Sequence, residues 1–315
     1  MLTAFATRDG RLEQVPVNAP EDLSDDAVWL DLVSPTPEER TWVETAYGQG
    51  LPRPSDMEEI EASARFYDDD NGVHIHSFFL HDFEDHPRNV SVAFTLNGGR
   101  LFTLHEHDLL SFRLFRLRAR QQPALTRDAT SILLGLFEAK VERLADVLEG
   151  VYSELETASQ WVLEDSEDDV EGVISQLARQ EDINGKARLS LMDKQRALSF
   201  LLRAGVLNND QSQTTREILR DIESLTAHTS FLFDKVNFLM DAALGFINLE
   251  QNQIIKIFSI AAVVFLPPTL VASIYGMNFR YMPELHQVWG YPFAILLMVL
   301  SGVAPYWFFK RKGWL

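Results

Sequence analysis

Gly276-Met277-Asn278 interrupts two long apolar runs, and Asn278 brings to that interruption an amide oxygen without a charge. Repeated round a symmetric ring of copies, it becomes a circle of neutral oxygens. A small, hard divalent cation that dehydrates reluctantly suits such a circle, because the oxygens accept hydrogen bonds from its bound waters. A ring of carboxylates would hold the ion too tightly for release. Gly276 permits the turn that would aim Asn278 inward.

The run before the tripeptide carries a second polar feature. At heptad spacing, Asn252, Ile255, Ser259, Ala262, Leu266, Thr269 and Ser273 form a stripe of small, hydroxylic or modest apolar side chains, while Phe258, Val263, Val264, Phe265 and Leu270 fall on other faces. The same register continues upstream through Asn248 and Gly245 to Asp241. Small polar residues on a membrane-helix seam serve tight packing or line a narrow wet pore. The amide and carboxylate on the same line favour the pore. Pro267-Pro268 in this run removes backbone donors, which reads either as a tolerated kink or as a local widening.

Histidines form another candidate set. His74 and His76 would share a strand face, His81 and His86 follow, and His105 and His107 repeat the spacing. Zinc uses such ligands. Without cysteine or a closed ligand set, an ordinary polar strand face is the stronger reading.

Positioning these residues falls to two apolar segments. Ile257 to Tyr275 is 19 residues without a charge, about 28 Å as a helix, and Val288 to Phe309 is 22 residues, each enough to cross a hydrocarbon core of about 30 Å. Lys310-Arg311-Lys312 follows the second run and places the C-terminus on the cytoplasmic side. Two crossings then return the preceding chain to the cytoplasm. The N-terminus shows no signal-peptide core.

Eight of the thirteen prolines occur by Pro123, none lies between Ala124 and Leu266, and five follow. The proline-free stretch is predicted helical. Ile132, Leu133, Leu136, Phe137, Val141, Leu144, Leu148, Val151 and Leu155 mark one long helix, acidic residues 164–169 end it, and Val173, Leu177, Ile183, Ala197 and Leu201 mark its antiparallel partner. Gly205 and Asn208-Asn209-Asp210 stop that helix and start another, which runs through Ile218, Ile222, Val236 and Leu239 into the first apolar segment. A helix of roughly 60 residues, on the order of 90 Å, needs neighbours, and a parallel bundle of identical copies supplies them. Before Pro123 the pattern turns strand-like over 27–33, 73–80, 90–96 and 100–105, with Asn97-Gly98-Gly99 as a hairpin turn and a helix start at Ser34-Pro35-Thr36-Pro37-Glu38-Glu39.

The net charge is −18. Residues 254–315 hold five Lys/Arg and one Glu, which leaves a net −22 on residues 1–253 and argues against a nucleic-acid surface. That acidity serves solubility or draws cations to acidic clefts. No phosphate-binding glycine loop and no EF-hand is present, so no ATP coupling is implied. The absence of cysteine fits a reducing compartment.

Tyr275-Gly276-Met277-Asn278-Phe279, Met282-Pro283-Glu284-Leu285 and Gly290-Tyr291-Pro292, with Phe246-Ile247-Asn248, Pro267-Pro268-Thr269-Leu270 and the basic tail, resemble the signature of the CorA magnesium transporters over residues 246–315. The resemblance implies a homopentameric Mg²⁺ channel of the inner membrane, also passing Co²⁺ and sometimes Ni²⁺, with both termini cytoplasmic. It makes Gly276, Met277 and Asn278 the selectivity filter and places Asn252, Ile255, Leu266 and Thr269 among the pore-facing positions. It also implies gating by cytoplasmic Mg²⁺ between subunits, for which the candidates here are Asp82, Glu84 and Asp85 on the soluble domain and Glu217 and Asp221 on the stalk.

The expected fold is therefore α+β. It consists of a cytoplasmic α/β domain with a small sheet over 1–123, a helical hairpin over 124–207, a stalk helix over 208–253, a pore-lining transmembrane helix over 254–275, an external loop over 276–287, a second transmembrane helix over 288–309 and a basic tail over 310–315. A zinc transporter of the same superfamily is the nearer alternative. A membrane-anchored metal-dependent hydrolase is the more distant one.

Overall fold

A computed structural model describes the chain except residues 9, 54–61, 82–86, 164–169, 279, 281 and 314–315. Seven strands form one sheet: β1 (Leu2–Arg8), β2 (Arg11–Pro16), β3 (Ala27–Val33), β4 (Phe66–Asp69), β5 (Gly72–His81), β6 (Arg88–Asn97) and β7 (Arg100–His105). Their order is β2-β1-β3-β7-β6-β5-β4, with β3 and β7 parallel and every other pair antiparallel. Asn97 pairs with Arg100, so Gly98-Gly99 is the two-residue loop that the sequence predicts. The sheet is larger than the expected small one by three strands, β1, β2 and β4.

Alternation along the strands gives the sheet two apolar faces. On one, Leu30, Leu32, Phe102 and Leu104 pack with Val43 of α1 (Pro37–Tyr47). That helix starts as predicted: Thr36 Oγ1 accepts the Glu39 amide at 3.2 Å while the Glu39 carboxylate accepts the Thr36 amide at 2.8 Å. A short helix, α2 (Ala62–Arg65), leads into β4. On the other face Trp29 is fully buried against Phe5, Phe112 and Phe115, and Phe79 and Phe94 meet Phe137. Phe5 belongs to β1, whereas Phe112 and Phe115 come from α3 (Leu110–Ala119) and Phe137 from α4 (Ala129–Leu163). The result is a sheet with helices on both sides.

The proline-free stretch is helical as the periodicity indicates: α4 is followed by α5 (Val170–Ala204) and the 67-residue α6 (Asn209–Tyr275). Asn208 Oδ1 caps α6 by accepting the Gln211 amide at 2.9 Å. Within Met1–Met240, α6 buries Ile218, Ile222, Leu232 and Val236, and Asn184 of α5 donates to the Thr229 carbonyl at 2.9 Å.

Polar residues also bind α5 to the sheet. Asp193 accepts Ser77 Oγ at 2.6 Å and the Phe78 amide at 2.8 Å, and pairs with Arg65 at 2.6 Å with both side chains almost fully buried. Next to it the buried Lys194 donates to the Phe78 carbonyl and to Ser190 Oγ.

Asp241–Leu315 forms a second unit. It contains the last part of α6, a loop with a short 3₁₀ turn at Pro283–His286, and α7 (Gly290–Arg311). Two helices, Asn209–Tyr275 and Gly290–Arg311, are long and apolar enough to cross a membrane.

Candidate functional site

The end of α6 runs as helix through Pro267 and Pro268 to Tyr275. Neither proline has an N–H, so the Val263 and Val264 carbonyls lose their donors one turn on. Small residues accommodate this on the α7 side, because a Cβ added at Gly302 would meet Pro268 Cγ at 3.3 Å and the Val264 carbonyl at 3.4 Å. Glycine lets the α7 backbone approach the proline-bearing turn.

Two residues of α-helix turn through about 200°. That rotation separates two stripes of α6. Ala261, Val264, Pro268, Val271 and Tyr275 are partly buried within the chain, whereas Ser259, Ala262, Leu266, Thr269 and Ser273, each two positions away from one of them, are exposed. Upstream, Asp241, Asn248, Asn252 and Ile255 are exposed as well. The polar stripe read from the sequence thus lies on the side of α6 opposite the one covered inside the chain.

The hydrogen-bonding state of the stripe sharpens this. Thr269 Oγ1 donates to the Phe265 carbonyl at 2.7 Å, a back-bond that occupies its proton and leaves its lone pairs open. The side chains of Asn248, Asn252, Ser259, Ser273 and Asn278 make no hydrogen bond among the described residues. Five polar side chains next to an apolar segment therefore have their full hydrogen-bonding capacity available.

The tripeptide closes the helix. Gly276 N donates to the Ala272 carbonyl at 2.9 Å and Met277 N to the Ile274 carbonyl at 3.2 Å, after which Met277 and Asn278 are exposed. Gly276 is not among the glycines with a left-handed backbone. What it provides is closeness: a Cβ there would lie 3.1 Å from the Ala272 carbonyl.

The other candidates separate. Asp82, Glu84 and Asp85 lie outside the described residues, as does His86. Glu217 and Asp221 sit on α6 near Glu138 and Glu142 of α4, two acids the sequence reading missed. Burial, then Glu142, raises the Glu138 pKa, and Asp221 and Glu217 add to the rise while Arg118 opposes it. No group of three His, Cys, Asp or Glu side chains among the described residues is arranged to hold a metal ion.

Histidines serve the sheet. His74 contacts Thr95 Oγ1 at 3.1 Å and Asp69 at 3.0 Å, and His105 contacts Asp31 at 2.9 Å and the His107 carbonyl at 2.6 Å. Burial lowers the His105 pKa, but the Asp31 carboxylate, the His107 carbonyl and Asp108 together outweigh it and the net shift is upward.

An α+β body, a very long helix and a second apolar helix, with polar side chains drawn up on one face, define a membrane protein built around a two-helix hairpin. A family model described as CorA-like Mg2+ transporter protein matches residues 24–311. The Escherichia coli (strain K12) protein named magnesium transport protein CorA is 55% identical over 317 residues, and the Yersinia pseudotuberculosis protein of the same name is 53% identical, each alignment covering both chains in full. The solved structure of the CorA magnesium transporter from Methanocaldococcus jannaschii superposes with a TM-score of 0.81 at 20% identity, covering 100% of this chain and 99% of that one. The chain belongs to the CorA family, and it is a membrane transport protein, not an enzyme.

Proposed function

We propose that several copies of this chain, five by the family resemblance, enclose a pathway along the exposed stripe of α6 and carry Mg²⁺ passively into the cell, with Co²⁺ and Ni²⁺ as further permeant ions. The observation that carries the reading is the stripe itself: uncommitted hydroxyls and amides opposite the side of α6 that is covered within the chain. Two helices cannot enclose a conduit alone, so the stripe needs other copies. The high full-length identity to proteins named for magnesium transport supports the ion.

In this reading Gly276, Met277 and Asn278 form the filter, and Asp241 and Asn248 stand on the line by which the ion leaves toward the cytoplasm. Asn278 oxygens accept hydrogen bonds from the waters of a hydrated ion, which spares the cost of dehydration. A cytoplasm-negative potential supplies about 2.3 kcal/mol per charge per 100 mV, hence about 4.6 kcal/mol for a divalent ion, enough for uptake without coupled hydrolysis. The chain lies in the inner membrane with both termini cytoplasmic, following the basic residues at 310–312.

Gating by cytoplasmic Mg²⁺ belongs to the same proposal. Glu217 and Asp221, with the acids at 82, 84 and 85, repel across a subunit boundary until a divalent ion bridges them, so loss of the ion loosens the ring. The test is Mg²⁺ influx into vesicles containing the purified protein under an inside-negative potential. Asn278→Ala removes a hydrogen bond worth about 1 kcal/mol from each subunit, and influx is expected to fall by at least about tenfold with assembly intact. Unchanged influx would remove Asn278 from the filter. Zn²⁺ carried in preference to Mg²⁺ would turn the reading to the zinc alternative.

A further inference from the structure

At the C-terminal ends of the parallel pair β3 and β7 the chain leaves the sheet toward opposite faces, into α1 after β3 and into α3 after β7. Alternation along the two strands gathers Asp31, Thr103 and His105 on the α3 face, where each is at most 1% exposed. We propose that His105 is a buried imidazolium that clamps the turn between β7 and α3 to β3, and that release of its proton frees the turn, a pH-sensitive latch built into the sheet.

The partners place each proton. The indole N–H of Trp29 donates to Thr103 Oγ1 at 2.9 Å, so that hydroxyl turns its own proton to Asp31 Oδ1 at 2.6 Å. Arg116 Nη1 donates to Asp31 Oδ2 at 3.1 Å. With protons arriving at both oxygens, Asp31 is a carboxylate. His105 Nε2, 2.9 Å from Oδ1, is therefore a donor. The other ring nitrogen, Nδ1, lies 2.6 Å from the His107 carbonyl, which can only accept. An imidazole that donates from both nitrogens is a cation.

The surroundings sustain that charge. Asp31 from β3 and Asp108 from the turn favour it, and the raised pKa agrees. Arg116 of α3, a like charge shared between Asp31 and Asp108, opposes it, and Arg113 holds the second oxygen of Asp108 at 3.2 Å. Val92, the cross-strand partner on β6, and Phe112 of α3, its ring centroid at 4.6 Å, bring no charge. Losing the proton breaks one of the two bonds. The carboxylate keeps the stronger, charge-assisted one, so Nδ1 is left bare with its lone pair toward the His107 carbonyl. That contact is repulsive, and the turn at 107–109 gives way. Because the folded pKa is raised, the stability from His105 is fully present below the unfolded value of about 6.5 and is lost as pH rises through the folded one.

The experiment is solid-state nitrogen NMR of histidine-labelled, full-length protein in lipid bilayers, started at pH 7 and titrated upward, on the parent, H105Q and D108N. At pH 7 the signal that H105Q removes should show two protonated ring nitrogens, where a histidine with the ordinary pKa of about 6.5 is mostly neutral. At higher pH it should lose one proton, with a midpoint that D108N lowers by a few tenths of a unit to about one unit. D108N changes a half-exposed side chain and picks out the same signal by its moved midpoint if H105Q does not fold. A spin label on Glu106→Cys, exposed beside the turn, should gain mobility across that midpoint. A bare ring nitrogen on His105 at pH 7, or label mobility that stays constant across the midpoint, overturns the proposal.

Discussion

Lys194 is fully buried, and burial drives its pKa down to about 7, partly countered by Asp193 and reinforced by Arg65. The unfolded chain keeps a lysine pKa near 10.4, so between about 7 and 10.4 the unfolded state binds more protons than the folded one. Folding stability from this group is therefore fully present above the unfolded value and is lost as pH falls through the folded value. Lys194→Met should flatten the pH dependence of thermal stability across that window relative to the parent. Parallel pH profiles for parent and variant would show that Lys194 does not titrate there. None of this was legible beforehand, because a lysine on a helix reads as solvated until the strand carbonyl it reaches, Phe78, is placed beside it. The histidines at 74 and 105 were visible as spacing, but their partners Asp69, Thr95 and Asp31 come from other strands, so metal and structural readings could not be separated from the sequence.

Among elements, the long helices were the most legible, since apolar periodicity over dozens of residues and the lack of proline leave few alternatives. Strands 27–33 and 100–105 were read with their observed bounds. The missed strands lacked strong local signals. β1 contains Ala4, Ala6 and two threonines, β2 is a largely polar edge, and β4 ends in Asp68-Asp69; each is a strand because a neighbour pairs with it. The meeting of α7 with the proline-bearing turn was likewise invisible, as Gly302 gains meaning only from its distance to Pro268 and Val264. Gly302→Leu should force α7 away from that turn and lower assembly or influx severalfold, whereas Gly302→Ala asks only a few tenths of an ångström of its neighbours and should leave more activity. Size-exclusion chromatography with vesicle influx measures both. Equal influx from the leucine variant and the parent would mean that the close approach is dispensable. A third expectation concerns the sheet and α5: Asp193→Asn breaks the buried pair with Arg65 and should cost about 3–5 kcal/mol, read as a lowered melting temperature of the Met1–Met240 unit.

For the molecule as a whole, the division of charge and apolarity was plain from the start, with a net −22 on residues 1–253 and two apolar runs after it. The conduit proposed above would be formed by several copies, so its test lies in the assembled protein. Voltage is the natural probe of that assembly: a tenfold change in driving equilibrium for a divalent ion requires only about 30 mV, given about 2.3 kcal/mol per charge per 100 mV. Influx should therefore rise with inside-negative potential and vanish when the potential is collapsed without a gradient. Influx insensitive to potential would contradict passive, charge-driven entry.

The central claim is that one particular side of α6 faces water inside the ring. The natural absence of cysteine makes it directly measurable. Single cysteines at Ser259, Ala262 and Ser273, and at Ala261, Val264 and Val271, can be exposed to a charged, membrane-impermeant thiol reagent while Mg²⁺ influx is recorded. The first three should react and block influx, and the second three should be spared. Equal modification of both sets, or block only through positions 261, 264 and 271, would contradict the assignment.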